Sequence, residues 1–97
     1  MRRAAKVDAN QAQIVKALRE AGCTVQSLAA VGDGCPDLLV GCGNRTALIE
    51  CKDGSKPPSA RRLNPEQMAW HAEWRGGTLA TVFDVDSALQ VVRIMKA

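Results

Sequence analysis

The sequence has no apolar run of the roughly 18 residues that a membrane-crossing helix needs, so no transmembrane segment is expected. It has no CxxC pair. Cys23, Cys35, Cys42 and Cys51 are irregularly spaced, and the single histidine, His71, stands far from them. That argues against a zinc framework and leaves four reduced cysteines acting as small core residues. The basic start, Met1-Arg2-Arg3-Ala4-Ala5-Lys6, is followed by no apolar stretch, so a secretory signal is not expected and a reducing cytoplasm is. No internal repeat, linker or low-complexity tract divides the chain, and its 97 residues are expected to form one domain. A net charge of +3 is compatible with a polyanionic partner without requiring one. A domain of this size buries only about 60–65% of its unfolded surface, so a partner subunit would help it.

What is present is an alternation of helix and strand signals. Residues 1–7 read as a flexible basic arm. Asp8 fits a helix N-cap with Gln11 as its capping-box partner; Ile14, Val15, Leu18 and Ala21 follow at helical spacing, and Gly22 ends the helix. Thr24–Val31 is expected as a first strand, with Val25 and Leu28 towards the core, and Gly32-Asp33-Gly34 as a turn. Asp37–Cys42 and Thr46–Lys52 are expected as strands joined by a Gly43-Asn44 hairpin turn. A polar loop, Asp53–Leu63, leads to a second helix capped by Asn64, with Pro65 first, that runs through Trp70 and Trp74 to Gly76-Gly77. Leu79–Phe83 is a fourth strand, and Asp86 caps a last helix bearing Leu89, Val92 and Met95. The order predicts an α/β domain with a mixed four-stranded sheet flanked by helices. Strands 2 and 3 form a hairpin, and strands 3 and 4 are parallel through a right-handed crossover.

The informative constellation is Pro36-Asp37, twelve residues, then Glu50-Cys51-Lys52. A hairpin sets the start of one strand beside the end of the next, so Asp37, Glu50 and Lys52 can meet at one sheet edge. Strand alternation puts Glu50 and Lys52 on one face with Leu48, and Ala47, Ile49 and Cys51 on the other. Two carboxylates and the Cys51 main-chain carbonyl can hold a hard divalent cation through oxygen. Lys52 beside them can act on a water or on phosphate charge. Few reactions other than phosphodiester hydrolysis use that set together.

These residues resemble the PD-(D/E)xK nuclease superfamily. Gly34-Cys35-Pro36-Asp37-Leu38-Leu39, Glu50-Cys51-Lys52 and Gln67 resemble its VRR-Nuc type, which includes small stand-alone phage-type proteins and is similar to Holliday-junction resolvases. The likeness runs from about Asp8 to Phe83. It implies a restriction-endonuclease-like core and DNA phosphodiester hydrolysis with Mg²⁺ or Mn²⁺, leaving a 5′-phosphate and a 3′-hydroxyl. It also implies metal binding by Asp37 and Glu50, catalysis by Lys52, support from Gln67, and a bacterial or phage-infected host cell. A homodimer suits branched DNA because a two-fold pair of sites matches a junction. Many relatives carry a glutamate on the first helix, whereas the corresponding position here is near neutral Gln11. An amide carbonyl or water replaces the acid, or the site is weaker.

Each residue also has a plainer role. Gln67, three after Asn64, is equally a capping-box residue. His71, one turn after Gln67, either approaches substrate phosphate or is a boundary residue. Trp70 and Trp74 serve core packing or a dimer interface. Lys56, Arg61 and Arg62 either neutralise DNA phosphates or form a solvated loop. Two rival functions stand beside the nuclease: a binding module of the same fold with weak or no turnover, and a protein-interaction domain.

Overall fold

Ile14 and Leu18, one helical turn apart, are both fully buried, and they fasten helix α1 (Gln11–Glu20) to the sheet. In the computed structural model, residues 9–97 are described. After α1 come β1 (Thr24–Ser27), β2 (Leu38–Cys42), β3 (Arg45–Cys51), a single 3-10 turn (Pro58–Ala60), α2 (Pro65–Glu73), β4 (Thr78–Val82) and α3 (Val85–Lys96). The sheet order is β1-β2-β3-β4. The first two pairings are antiparallel and β3–β4 is parallel, so the mixed four-stranded sheet expected from the sequence is the one observed.

The period-two pattern decides the faces. Leu38, Val40, Cys42, Ala47, Ile49 and Cys51 turn to one side, where α1 and α3 close the core. Leu39, Leu48 and Glu50 turn to the other side, over which α2 reaches with Gln67. Leu39 opposes Leu48 and Leu48 pairs with Leu79, so an apolar row crosses that second face.

The ends of β2, β3 and β4 differ by one residue from the sequence expectation, and four other ends differ in ways that the local bonding explains. The proposed cap Asp8 and the basic arm 1–7 lie outside the described residues; α1 starts at Gln11 with Asn10 as N-cap and no side-chain cap bond. β1 stops at Ser27 because the chain turns there, with Val31 N–H donating to the Leu28 carbonyl at 2.9 Å. α2 ends at Glu73, and Trp74 is its C-cap. α3 is capped by Asp84 rather than Asp86: the Asp84 carboxylate accepts from Ser87 N–H at 2.8 Å, and Ser87 Oγ accepts from Asp84 N–H at 3.2 Å. Asp86 sits in the first turn, where its charge suits the helix dipole.

Candidate active site

Asp37 immediately precedes β2 and Glu50 is the penultimate residue of β3. Leu38 opposes Ile49, so one further step of the register sets Asp37 opposite Glu50, on the face away from α1 and α3. They are 4% and 2% exposed. Asp37 Oδ2 accepts the Cys51 N–H at 2.7 Å, which fixes the carboxylate against the end of β3. A strand residue points its N–H and C=O to the same side, so the Cys51 carbonyl is directed to the Asp37 side as well.

Gln67 ties the cluster together. Its Nε2 donates to Glu50 Oε2 at 3.1 Å, and its Oε1 accepts from Lys52 Nζ at 2.9 Å. Lys52 Nζ lies 3.9 Å from Glu50 Oε2. The same Oε1 accepts the Asn64 N–H at 2.9 Å, while Asn64 Oδ1 accepts the Gln67 N–H at 2.9 Å. One Gln67 side chain therefore closes the capping box of α2 and bonds both Glu50 and Lys52.

Two local features put α2 there. Gly34 has φ +85°, and a Cβ on it would lie 2.7 Å from the Glu66 carbonyl carbon and 3.1 Å from Gln67 N. The loop before Asp37 thus packs its bare backbone against the first turn of α2. Pro36, fully buried, stiffens the step from that loop into β2.

The first helix is held to the same sheet end by a residue that the motifs do not reveal. Asn10 Nδ2 donates to the Lys52 carbonyl at 3.2 Å and to the Phe83 carbonyl at 2.9 Å, joining the start of α1 to the ends of β3 and β4. An amide that bonds carbonyls 42 and 73 residues away leaves no local signal in a sequence. Gln11 follows it and is 6% exposed, and its Oε1 has no hydrogen-bond partner among the described residues.

His71 lies on α2 one turn beyond Gln67. Burial, and secondarily the Lys52 charge, push its imidazole below the usual histidine range. Its Nε2 is buried with no partner among the described residues. In the loop after β3, Lys56 and Arg62 are exposed, whereas the Arg61 guanidinium lies 5.8 Å from the centre of the Phe83 ring, over its face. Arg61 is thereby engaged with the end of β4.

Among the described residues no group of three or more His, Cys, Asp or Glu side chains could hold a metal. A cation here would rest on two carboxylates, a main-chain carbonyl and water. That set fits a hard divalent ion. Asp37 and Glu50 set two buried carboxylates beside the Lys52 ammonium.

A family model described as archaeal Holliday junction resolvase (hjc) matches residues 3–82. No curated protein and no solved structure matches significantly. The matched span takes in α1, the whole sheet, the carboxylate hairpin and α2, and stops at the end of β4. The chain belongs to the archaeal Holliday junction resolvase (hjc) family, a nuclease family of the PD-(D/E)xK superfamily.

Proposed function

We propose that this protein is a Mg²⁺- or Mn²⁺-dependent nuclease that hydrolyses DNA phosphodiesters, selecting branched structures such as four-way junctions. The observation that carries this reading is the juxtaposition of Asp37 and Glu50 across the β2–β3 register, with Lys52 and Gln67 closing over them. Asp37, Glu50 and the Cys51 carbonyl would hold the cation, which when bound supplies Lewis-acid polarisation of the phosphate and acidifies water. Lys52 Nζ, oriented by Gln67 Oε1, contacts the attacking water or the non-bridging phosphate oxygens as charge builds there. Attack in line with the 3′-oxygen leaves a 5′-phosphate and a 3′-hydroxyl. Lys56 and Arg62 lie exposed to meet flanking phosphates, and Arg61 props their loop against Phe83. The finer likeness to stand-alone, phage-type VRR-Nuc proteins rests on Gly34–Leu39 and belongs to this proposal.

A gel assay over labelled four-way junction, flap and duplex tests it. Cleavage of the junction with Mn²⁺ and none with EDTA is expected. Tight binding without cleavage in either cation would favour a binding module in which neutral Gln11 has weakened the site. Failure to bind any of these DNAs at low salt would exclude a nucleic-acid role.

Asp37→Asn and Glu50→Gln each remove an anionic oxygen from a hard-cation site. Calorimetry with Mn²⁺ should show at least about tenfold weaker binding for each, a loss of about 1.4 kcal/mol. Unchanged affinity in both variants would remove them from the ligand set.

We also assign a homodimer to the second sheet face. There a groove of about 570 Å³ is lined by Leu39, Leu48, Trp74 and Thr78, and Trp74 stacks on Trp70 with ring centres 5.2 Å apart. On α3, Val92 and Met95 already close the monomer's own core. Trp74 is 37% exposed, so Trp74→Glu should leave the fold intact and shift the mass by light scattering from two chains to one. A wild type that runs as a monomer at micromolar concentration would refute the assignment.

A further inference from the structure

We infer that Cys23 and Cys42 form an oxidisable dithiol site, closing a reversible cross-strand disulfide at the sheet end opposite the carboxylates. The β1–β2 register runs from Ser27 opposite Leu38 to Thr24 opposite Gly41, and one further step sets Cys23 opposite Cys42. Leu28 N–H donates to the Asp37 carbonyl at 2.7 Å, so Leu28/Asp37, Gln26/Leu39 and Thr24/Gly41 are the hydrogen-bonded rungs. Cys23/Cys42 falls at the alternate rung, where opposed Cα atoms approach to about 4.5 Å and side chains are closest. Two further observations agree. Cys23 N–H leaves the ladder for the Leu18 carbonyl at 3.0 Å, and Cys42 pairs with Arg45 on its other side. Disulfides span Cα separations of about 4.4–6.8 Å, so this rung admits one with little backbone movement.

Both thiols are free and buried, and they face one another across the β1–β2 register. Burial, and then the neighbouring thiol, push Cys23 up to about 11, which makes its thiolate scarce and oxidation slow. The same property makes Cys23 a poor leaving group, so the disulfide once formed resists reduction.

A low-molecular-weight disulfide is the oxidant. One cysteine sulfur, as thiolate, displaces a small thiol and forms a mixed disulfide. The other cysteine sulfur attacks that bond and releases the second small thiol. The protein loses two S–H hydrogens and gains one S–S bond, and the oxidant is reduced to two thiols that carry the protons. The closed ring, residues 23 to 42, encloses β1, the following loop and Asp37. Asp37 lies five residues, about 17 Å along β2, from Cys42, so the bridge acts on stability and leaves the carboxylates in place.

The test is equilibration in hydroxyethyl disulfide–mercaptoethanol mixtures, approached both from folded protein and by refolding from urea so that burial does not limit access. Acid quench, alkylation and peptide mass mapping should show Cys23 linked to Cys42, with Cys35 and Cys51 alkylated. The oxidised chain should melt more than about 5 °C higher, and Cys42→Ser should abolish that gain. Linkage through Cys35 or Cys51, four alkylated cysteines after refolding in oxidising buffer, or a melting point unchanged or lowered by the bridge would overturn the inference. None of these readouts depends on nuclease activity.

Discussion

Lys52→Ala should cut the rate of junction cleavage by about 10²–10⁴-fold while leaving junction binding and the melting point close to wild type. Its Nζ is held by Gln67 Oε1 at 2.9 Å and stands 3.9 Å from Glu50 Oε2, and in the function proposed above this ammonium meets the phosphate charge. The side chain is only 13% exposed, and part of any effect could come from its lost stem. Lys52→Met retains most of the stem and removes the charge, and should be as slow as alanine. Mn²⁺ affinity should not fall in either variant, because neither removes an oxygen ligand; a fall would mean that Lys52 organises the carboxylates rather than acting on substrate. Near-wild-type turnover in both variants would end the catalytic assignment.

Gly34→Ala should be almost as damaging without touching any group that meets DNA. The alanine Cβ would lie 2.7 Å from the Glu66 carbonyl carbon, and φ at this position is +85°. Something must shift, and the mobile party is the first turn of α2, which carries Gln67. A loss of about 1–3 kcal/mol by urea unfolding is expected. Displacement of the Gln67 clamp by about 1 Å should lower turnover about 10²-fold. Gly22→Ala is the control: its φ is +94°, but no atom lies within 4 Å of the new Cβ. It should cost about 1 kcal/mol from backbone strain alone and leave turnover unchanged. If the two variants lose the same stability and neither loses turnover, the packing of Gly34 on α2 is not what positions Gln67.

The hairpin and its carboxylates were legible because they rest on one local rule. Alternation along Leu38–Cys42 and Arg45–Cys51, with a turn at Gly43-Asn44, places Asp37 opposite Glu50 without knowledge of the rest of the fold. Helix starts were less legible because two residues often compete for the same cap. Asp84 and Asp86 both precede an apolar run, and only the reciprocal bond with Ser87 decides between them. The sequence overextends β1 because Ala29, Ala30 and Val31 look strand-like, although the chain turns away after Leu28, whose N–H still bonds the Asp37 carbonyl. Asn10 could not be found at all, since its two acceptors, just past the ends of β3 and β4, are brought near only by the finished fold. Val92 and Met95 of α3 belong to the core, and exposed Leu39 and Trp74 lie at the second sheet face.

Carrying both carboxylates on one hairpin also constrains which insertions and deletions the gene can tolerate. Twelve residues separate Asp37 from Glu50, six on each side of the centre of the Gly43-Asn44 turn. A single residue lost from either strand would turn one carboxylate into the α1–α3 core and leave the other outside. Removing one residue from each strand would keep Asp37 and Glu50 opposed while shortening the hairpin by about 3.4 Å. Length variants should therefore survive as balanced pairs within the strands, or as changes confined to the turn, and unbalanced ones should lose cation binding even where they still fold.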